Sequence, residues 1–243
     1  SGDTYTLAVR MSGSGQIRIS FTAGDSFETP AITLSATPTT YTITGTFTGA
    51  ASGSIVARII RRTSDAVLSD VVVEYVQLEA GPVPSSYIPT FDATATRAAE
   101  TLTIPAANIP ANTTAMSIAM SGMVTYADTG STLDAYFFSW LATGGDYIRL
   151  SLSTSGSLTG RVRFEQASAS VYDVTDSSNT ALAAGINTPF SIASRHGSNF
   201  INGAVNGTVL TANTTPTSLP DLSATDLSLG DKFNGYISKF RVW

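Results

Sequence analysis

The chain has 243 residues, no cysteine, a single histidine (His196) and 13 Lys+Arg against 18 Asp+Glu, for a formal net charge of -5. Disulfide scaffolds and thiol nucleophiles are excluded, and one imidazole without a thiolate cannot close a structural zinc site. The acidic balance argues against a duplex-binding surface, so no nucleic acid is expected as a partner, and no window approaches the ~20 apolar residues that membrane insertion would need.

Almost every periodic signal has a period of two, carried by Thr, Ser, Val and Ile in short runs cut by Gly, Asn, Asp and Pro. Tyr5, Leu7, Val9 and Met11 alternate with polar neighbours, and Ser12-Gly13-Ser14-Gly15 predicts a hairpin turn into Ile17, Ile19 and Phe21. Further strands are predicted at Ile32–Leu34, Tyr41–Phe47, Ser54–Ile60 and Val71–Leu78. No stretch sustains helical periodicity. The strand pattern already at Tyr5, with no initiating Met, leads to the expectation of a chain trimmed from a longer one.

A seam is predicted between Glu79 and Ala99, because three prolines (Pro82, Pro84, Pro89) block both helix and central strand. The second block then reads as short strands at Leu102–Ile104, Met116–Tyr126, Tyr136–Leu141, Tyr147–Leu152, Arg161–Gln166, Ser170–Val174, Phe190–Arg195, Phe200–Val205, Asp226–Leu229 and Tyr236–Trp243. Ile148, Leu150 and Leu152 are predicted inward, with Tyr147, Arg149 and Ser151 outward. In the last strand Tyr236, Phe240 and Val242 share one parity against Ile237, Lys239, Arg241 and Trp243 on the other, and Trp243 is expected to plug a core edge or an interface.

Two stretches carry a family resemblance. Tyr75-Val76-Gln77-Leu78-Glu79-Ala80-Gly81, followed by Ser86-Tyr87-Ile88-Pro89-Thr90 and Thr96-Arg97-Ala98-Ala99-Glu100, resembles the end of a carbohydrate-binding-module-like jelly roll found in phage tail and virion proteins. Phe190–Arg195, Phe200–Gly207, Leu227-Ser228-Leu229-Gly230 and Phe233–Trp243 are similar to the closing strands of concanavalin-A-like (laminin-G-like) lectin and glucanase domains. The resemblance implies an all-β fold of antiparallel β-sandwiches: a partial jelly roll at 1–90, short at its N-terminal side, a linker at 91–100, and a concanavalin-A-like jelly roll at 101–243. Val205-Asn206-Gly207 has a physical reason of its own, since Asn and Gly adopt the positive φ of a tight turn at little cost.

Catalytic machinery is weakly represented. His196 lies in the turn-like Ser194-Arg195-His196-Gly197-Ser198-Asn199 and is expected at a solvated hairpin tip, without a G-x-S-x-G elbow to pair with. The glutamates Glu28, Glu74, Glu79, Glu100 and Glu165 are isolated, whereas glucan hydrolysis needs a close carboxylate pair; Glu165 is expected to pair across its face with Arg161 and Arg163. No catalytic residue and no cofactor are therefore predicted. Asp173-Val174-Thr175-Asp176-Ser177-Ser178-Asn179 offers oxygen donors that could hold Ca²⁺, with an ordinary Asx-turn loop as the simpler reading.

Sugar recognition asks for less: an aromatic face and a few amide, carboxylate or guanidinium groups. Tyr147 and Arg149 are the preferred candidates, with Trp140, Asp146, Tyr172, Arg195 and Asn199 as neighbours; Trp140 shares parity with Tyr136 and Phe138, so burial of that row is the competing reading. The expectation is a non-enzymatic module of a phage tail fibre or other virion appendage that binds bacterial surface glycan, homo-oligomeric with a trimer favoured, at the virion surface and touching other virion proteins. A structural decoration module without ligand and a glycoside hydrolase are the alternatives.

Overall fold

Thr-, Val- and Ile-rich runs at period two leave one side of each strand apolar, and that side is removed from water when two sheets face each other. The computed structural model describes residues 3–49, 53–67, 70–96, 100, 102–110, 114–127, 134–154, 156–168, 170–175 and 181–243. It is all-β with antiparallel pairing, and the only helical segments among the described residues are two 3-10 turns, Ala106–Asn108 and Gly156–Leu158. The chain divides into two compact units, Ser1–Ala98 and Ala99–Trp243.

The first unit holds β1 (Thr4–Ser14), β2 (Gln16–Ala23), β3 (Asp25–Glu28), β4 (Ile32–Thr33), β5 (Thr39–Thr46), β6 (Val56–Ile60) and β7 (Asp70–Ala80). One sheet runs β5-β1-β7; in the other, β3, β4 and β6 all pair with β2. Residues Ser12–Gly15 therefore do not close the expected hairpin. β1 and β2 belong to different sheets, and Gly15, at φ 101, carries the chain across the corner. The reason is burial: as a hairpin, Leu7, Val9 and Met11 would lie beside Ile17, Ile19 and Phe21 in one uncovered layer, whereas folded over each other each row covers the other, and all six are at most 1% exposed.

The Gln77, Glu79 and Ser85–Ile88 stretch becomes a strap pinned beside β7. Glu79 accepts from Ser85 N at 2.7 Å and Ser85 Oγ at 2.7 Å, Gln77 Oε1 accepts from Ile88 N at 2.8 Å, and Tyr75 stacks on Tyr87 at 4.4 Å. Thr6, fully buried on the outward side of β1, donates to Gly81 O at 2.8 Å. The motif thus closes the outer surface of this sheet with charge-assisted hydrogen bonds rather than a further strand. Residues 97–99, within the Thr96–Glu100 motif, lie outside the described residues.

The second unit is a sandwich of a six-stranded and a five-stranded sheet. The six-stranded sheet orders β13 (Ser170–Thr175), β12 (Val162–Ser168), β11 (Tyr147–Ser153), β10 (Asp134–Leu141), β17 (Leu227–Leu229) and β8 (Leu102–Ile104). The five-stranded sheet orders β16 (Thr208–Val209), β15 (Ile201–Val205), β14 (Gly185–Gly197), β9 (Ala115–Tyr126) and β18 (Gly235–Val242). Phe138, Trp140, Ile148, Leu150 and Phe164 from the first pack with Ile118, Met120, Ile192 and Val205 from the second in one core. A tight turn at Asn206 (φ 49) and Gly207 (φ 83) links β15 to β16.

Two bulges alter the expected parity. Between Tyr136 and Phe138 the register slips by one, so Phe137 and Phe138 are both buried. A second slip between Ile237 and Lys239 puts Ile237 inward with Phe240 and Val242, and Tyr236 outward with Lys239 and Arg241. Trp243 is 55% exposed within this chain and fills no core edge in it.

Candidate functional site

The outward side of the six-stranded sheet is a grid of polar residues set by the register. Ser139, Arg149, Glu165 and Asp173 form one row across β10 to β13; Tyr136, Ser151, Arg163 and Thr175 form the next. The inward residues Ile148, Leu150, Leu152, Val162 and Phe164 are at most 1% exposed and hold these strands flat against the core.

Glu165 is the centre of the grid. It points outward yet is only 1% exposed, because two guanidiniums cover it: Arg149 Nε donates to Oε2 at 2.8 Å and Arg163 Nη2 lies 3.2 Å from Oε1. Arg163 Nε also donates to Asp173 at 3.3 Å, and Asp173 accepts from Thr175 Oγ1 at 2.7 Å. Arg149 lies over the rings of Tyr147 (4.3 Å) and Tyr136 (5.4 Å). Burial works against the Arg149 charge, but hydrogen bonds and Coulombic attraction to Glu165 outweigh it and hold its pKa above the ordinary value. Burial, reinforced by the Glu165 charge, pushes the Tyr147 phenol up. A buried carboxylate is tolerated only when paired and hydrogen-bonded, and both oxygens of Glu165 are.

The expected ion pair around Glu165 thus forms with Arg149 and Arg163; Arg161 takes no part in it among the described interactions. Sequence reasoning placed Tyr136 in the same row as Trp140, from which the bulge at Phe137 separates it, and did not bring Arg163, Glu165 or Asp173 to the Tyr147–Arg149 face. The available signal was the outward parity of Arg163 and Glu165 on a strand adjoining Arg149. Ser151, with the same parity, is only 2% exposed.

The other sequence candidates separate from this face. Trp140 is in the core, 2% exposed, with Nε1 donating to Thr225 O at 2.7 Å, so its ring has no face to offer a ligand. Asp146 closes the β10–β11 turn through its backbone, accepting from Ala142 N at 2.8 Å, and is half-buried. Tyr172 pairs with the inward Gln166 and packs against the core at the sheet edge, its hydroxyl 3.2 Å from Thr217 Oγ1. Arg195 and Asn199 belong to the opposite sheet and its β14–β15 turn.

His196 is not at a solvated tip. β14 continues through Gly197, pairing with β9 and β15, and carries the ring into the interior at 0% exposure. Gln166 Nε2 donates to Gly197 O (2.9 Å) and Ser218 O (3.3 Å), which leaves its Oε1 to accept from His196 Nδ1 (3.2 Å); Nε2 of the ring then accepts from Ser194 Oγ (3.0 Å). The imidazole is neutral, its pKa pushed down to about 3 by burial. A Ser–His contact sealed from solvent has no route to a substrate.

Among the described residues no three His, Asp or Glu side chains gather in a way that could hold a metal ion. Asp176 to Asn179 of the candidate calcium loop lie outside the described residues. Glu165 and Asp173 are neighbours across β12 and β13, and Arg163 bridges them.

No family model and no curated protein matches the chain. Solved structures similar to it include sheep galectin-11 in complex with glycerol, at 13% identity over 61% of this chain and 100% of that one, with a TM-score of 0.38. The CBM40 of Ruminococcus gnavus IT-sialidase bound to α2,3-sialyllactose is similar at 13% identity over 54% and 76%, with a TM-score of 0.40. Mouse laminin α1 domains LG4-5 are similar at 10% identity over 98% and 82%, with a TM-score of 0.39.

Proposed function

We propose that the outward face of the six-stranded sheet is a glycan-binding surface and that the chain is a non-catalytic receptor-binding module. The observation that carries this is Arg149, held by Glu165 between the rings of Tyr136 and Tyr147. Tyrosine rings suit the apolar face of a pyranose, and guanidiniums already fixed by a carboxylate lose little entropy on meeting hydroxyl pairs. Asp173, Ser139 and Thr175 supply further acceptors and donors in the same rows.

Both Glu165 oxygens are engaged by guanidiniums, which speaks against a free general acid or nucleophile there. The setting on a phage tail fibre or related virion appendage, with bacterial surface polysaccharide as ligand and a homotrimer as assembly, rests on the resemblance of the Tyr75–Thr90 and Thr96–Glu100 stretches. Polyvalency would multiply a weak single-site affinity.

A glycan array followed by calorimetry on its hits tests the reading. Saturable binding of a saccharide is expected, and Tyr147→Ala should weaken it by about tenfold, the scale of one aromatic contact. An array without hits, or a Tyr147→Ala protein that binds unchanged, refutes it. A second reading, a structural module without ligand, is favoured by Val73, Val76 and Ile59: all carry inward parity yet are 41%, 47% and 37% exposed along one flank of the first unit. Burial of that flank against a second copy would then be the function.

A further inference from the structure

The opposite sheet of the second unit carries a charge pattern that the glycan face does not use. Residues 99–243 contain seven Lys/Arg against ten Asp/Glu, yet β9, β14, β15, β16 and β18 contain no acidic residue. Their outward side holds Arg195, Lys239 and Arg241, all exposed, and none of the three enters an ion pair among the described residues. The cations of the other sheet contrast with these, since Arg149 and Arg163 are spent on Glu165 and Asp173.

The register fixes their arrangement. Lys239 pairs with Ser121 and Arg241 with Ala119, while Trp243 exchanges backbone hydrogen bonds with Ser117. Ser117, Ala119 and Ser121 of β9 and Ser191 and Ala193 of β14 are small, so the middle of the face is a low floor. Lys239 and Arg241 on β18 and Trp243 directly after it stand along one bank, and Arg195 on β14 stands on the other, stacked over Phe200 at 5.1 Å. From strand geometry, Lys239 and Arg241 are about 7 Å apart along the strand, and the two banks about 10 Å apart across two strands. Trp243 (55% exposed) and Tyr236 (51% exposed) border the same bank.

We infer that this face is a second binding site, for an acidic polysaccharide laid along β9 between the two banks. Three cations that enter no ion pair among the described residues supply charge complementarity to repeating carboxylates, and the Arg195 guanidinium, stacked on Phe200, is held ready for a planar anion. The small floor admits an extended chain, and the exposed indole offers a stacking surface for a sugar ring. The site is separate from the Arg149 face, and neither proposal requires the other.

Calorimetric titration with polygalacturonate tests it, with neutral dextran and a dT oligonucleotide as controls. Wild-type protein should bind the polyuronate with an affinity that falls as NaCl rises, and Arg195→Gln/Lys239→Gln/Arg241→Gln should lose about tenfold or more with an unchanged melting transition. Tyr147→Ala, which disables the other face, should leave this binding intact. Should the triple variant be unfolded, Lys239→Glu alone should still lower the affinity several-fold. The inference is overturned if wild type ignores the polyuronate, if the charge variants bind it unchanged, or if dextran or dT binds as tightly.

Discussion

The two sandwiches obey the same alternation but differ in how far their facing sheets overlap. In the second unit every strand of the six-stranded sheet from β10 to β12 sends its inward row into contact with the other sheet, and residues such as Ile148, Leu152 and Val162 reach 0% exposure. In the first unit β1 and β2 cover each other just as fully, yet the inward residues of β6 and β7 stay between 37% and 47% exposed at Ile59, Val73 and Val76. The lesson is that parity decides which way a side chain points, while burial depends on what stands opposite. The outward Glu165 makes the converse point: side chains of its own face bury it.

The sharpest way to break this contrast is substitution in the closed core. Trp140→Ala should cost about 3–5 kcal/mol, because the cavity adds to the lost transfer energy and Thr225 O loses its donor. Chemical denaturation of residues 99–243 would measure it; a cost below about 1 kcal/mol would mean the core is not as packed as described.

Acid should separate the two units next. His196 ordinarily titrates near 6.5 and in the fold near 3, so between those values the unfolded chain binds the extra proton. The second unit should keep its full stability above pH 6.5 and lose it progressively toward pH 3, by several kcal/mol in all. The first unit is governed instead by Asp65, which Arg18 holds down to about 2 from 3.8 through its side-chain hydrogen bond, aided by Arg62 N. Its contribution is present above pH 3.8 and fades as pH falls to about 2. Melting curves at stepped pH should therefore show the transition of the second unit falling first, and His196→Gln should flatten that dependence. Coincident loss in both units would count against the assignment.

Glu165→Gln should cost less, roughly 2–3 kcal/mol, below the figure for a fully buried pair because Arg149 and Arg163 keep 29% and 34% of their side chains in water. Crosswise removal of Arg149 and Glu165 in a double-mutant cycle would isolate their coupling. The smallest effect belongs to the open flank: Val76→Thr, at a residue already 47% exposed, should change stability by less than about 1 kcal/mol. A larger loss would reveal that something covers β7 in solution.

Strand alternation made much of the architecture legible: the inward Ile148, Leu150 and Leu152 and the outward Tyr147 and Arg149 of β11 follow it directly. What escaped were single-residue events. One inserted residue near Phe137 buried two aromatics in succession, and another near Ser238 exchanged the faces of Tyr236 and Ile237, because a period of two carries no memory past a bulge. The polar ends of strands also misled. Arg195-His196-Gly197 has turn-like composition, but pairing with both β9 and β15 extends the strand through it. The site itself was half visible, since Tyr147 and Arg149 are local to one strand, whereas Tyr136, Arg163 and Asp173 join them only through register with three neighbours.

The strap beside β7 bears on where the first unit ends as a folding entity. A chain shortened at Ala80 would retain every strand of that sandwich but strip Gln77 and Glu79 of their amide donors and uncover the hydroxyl of Thr6. The smallest autonomous piece therefore extends at least through Ile88, so that a proline-bearing segment easily taken for a tether is part of what must be kept when the unit is isolated.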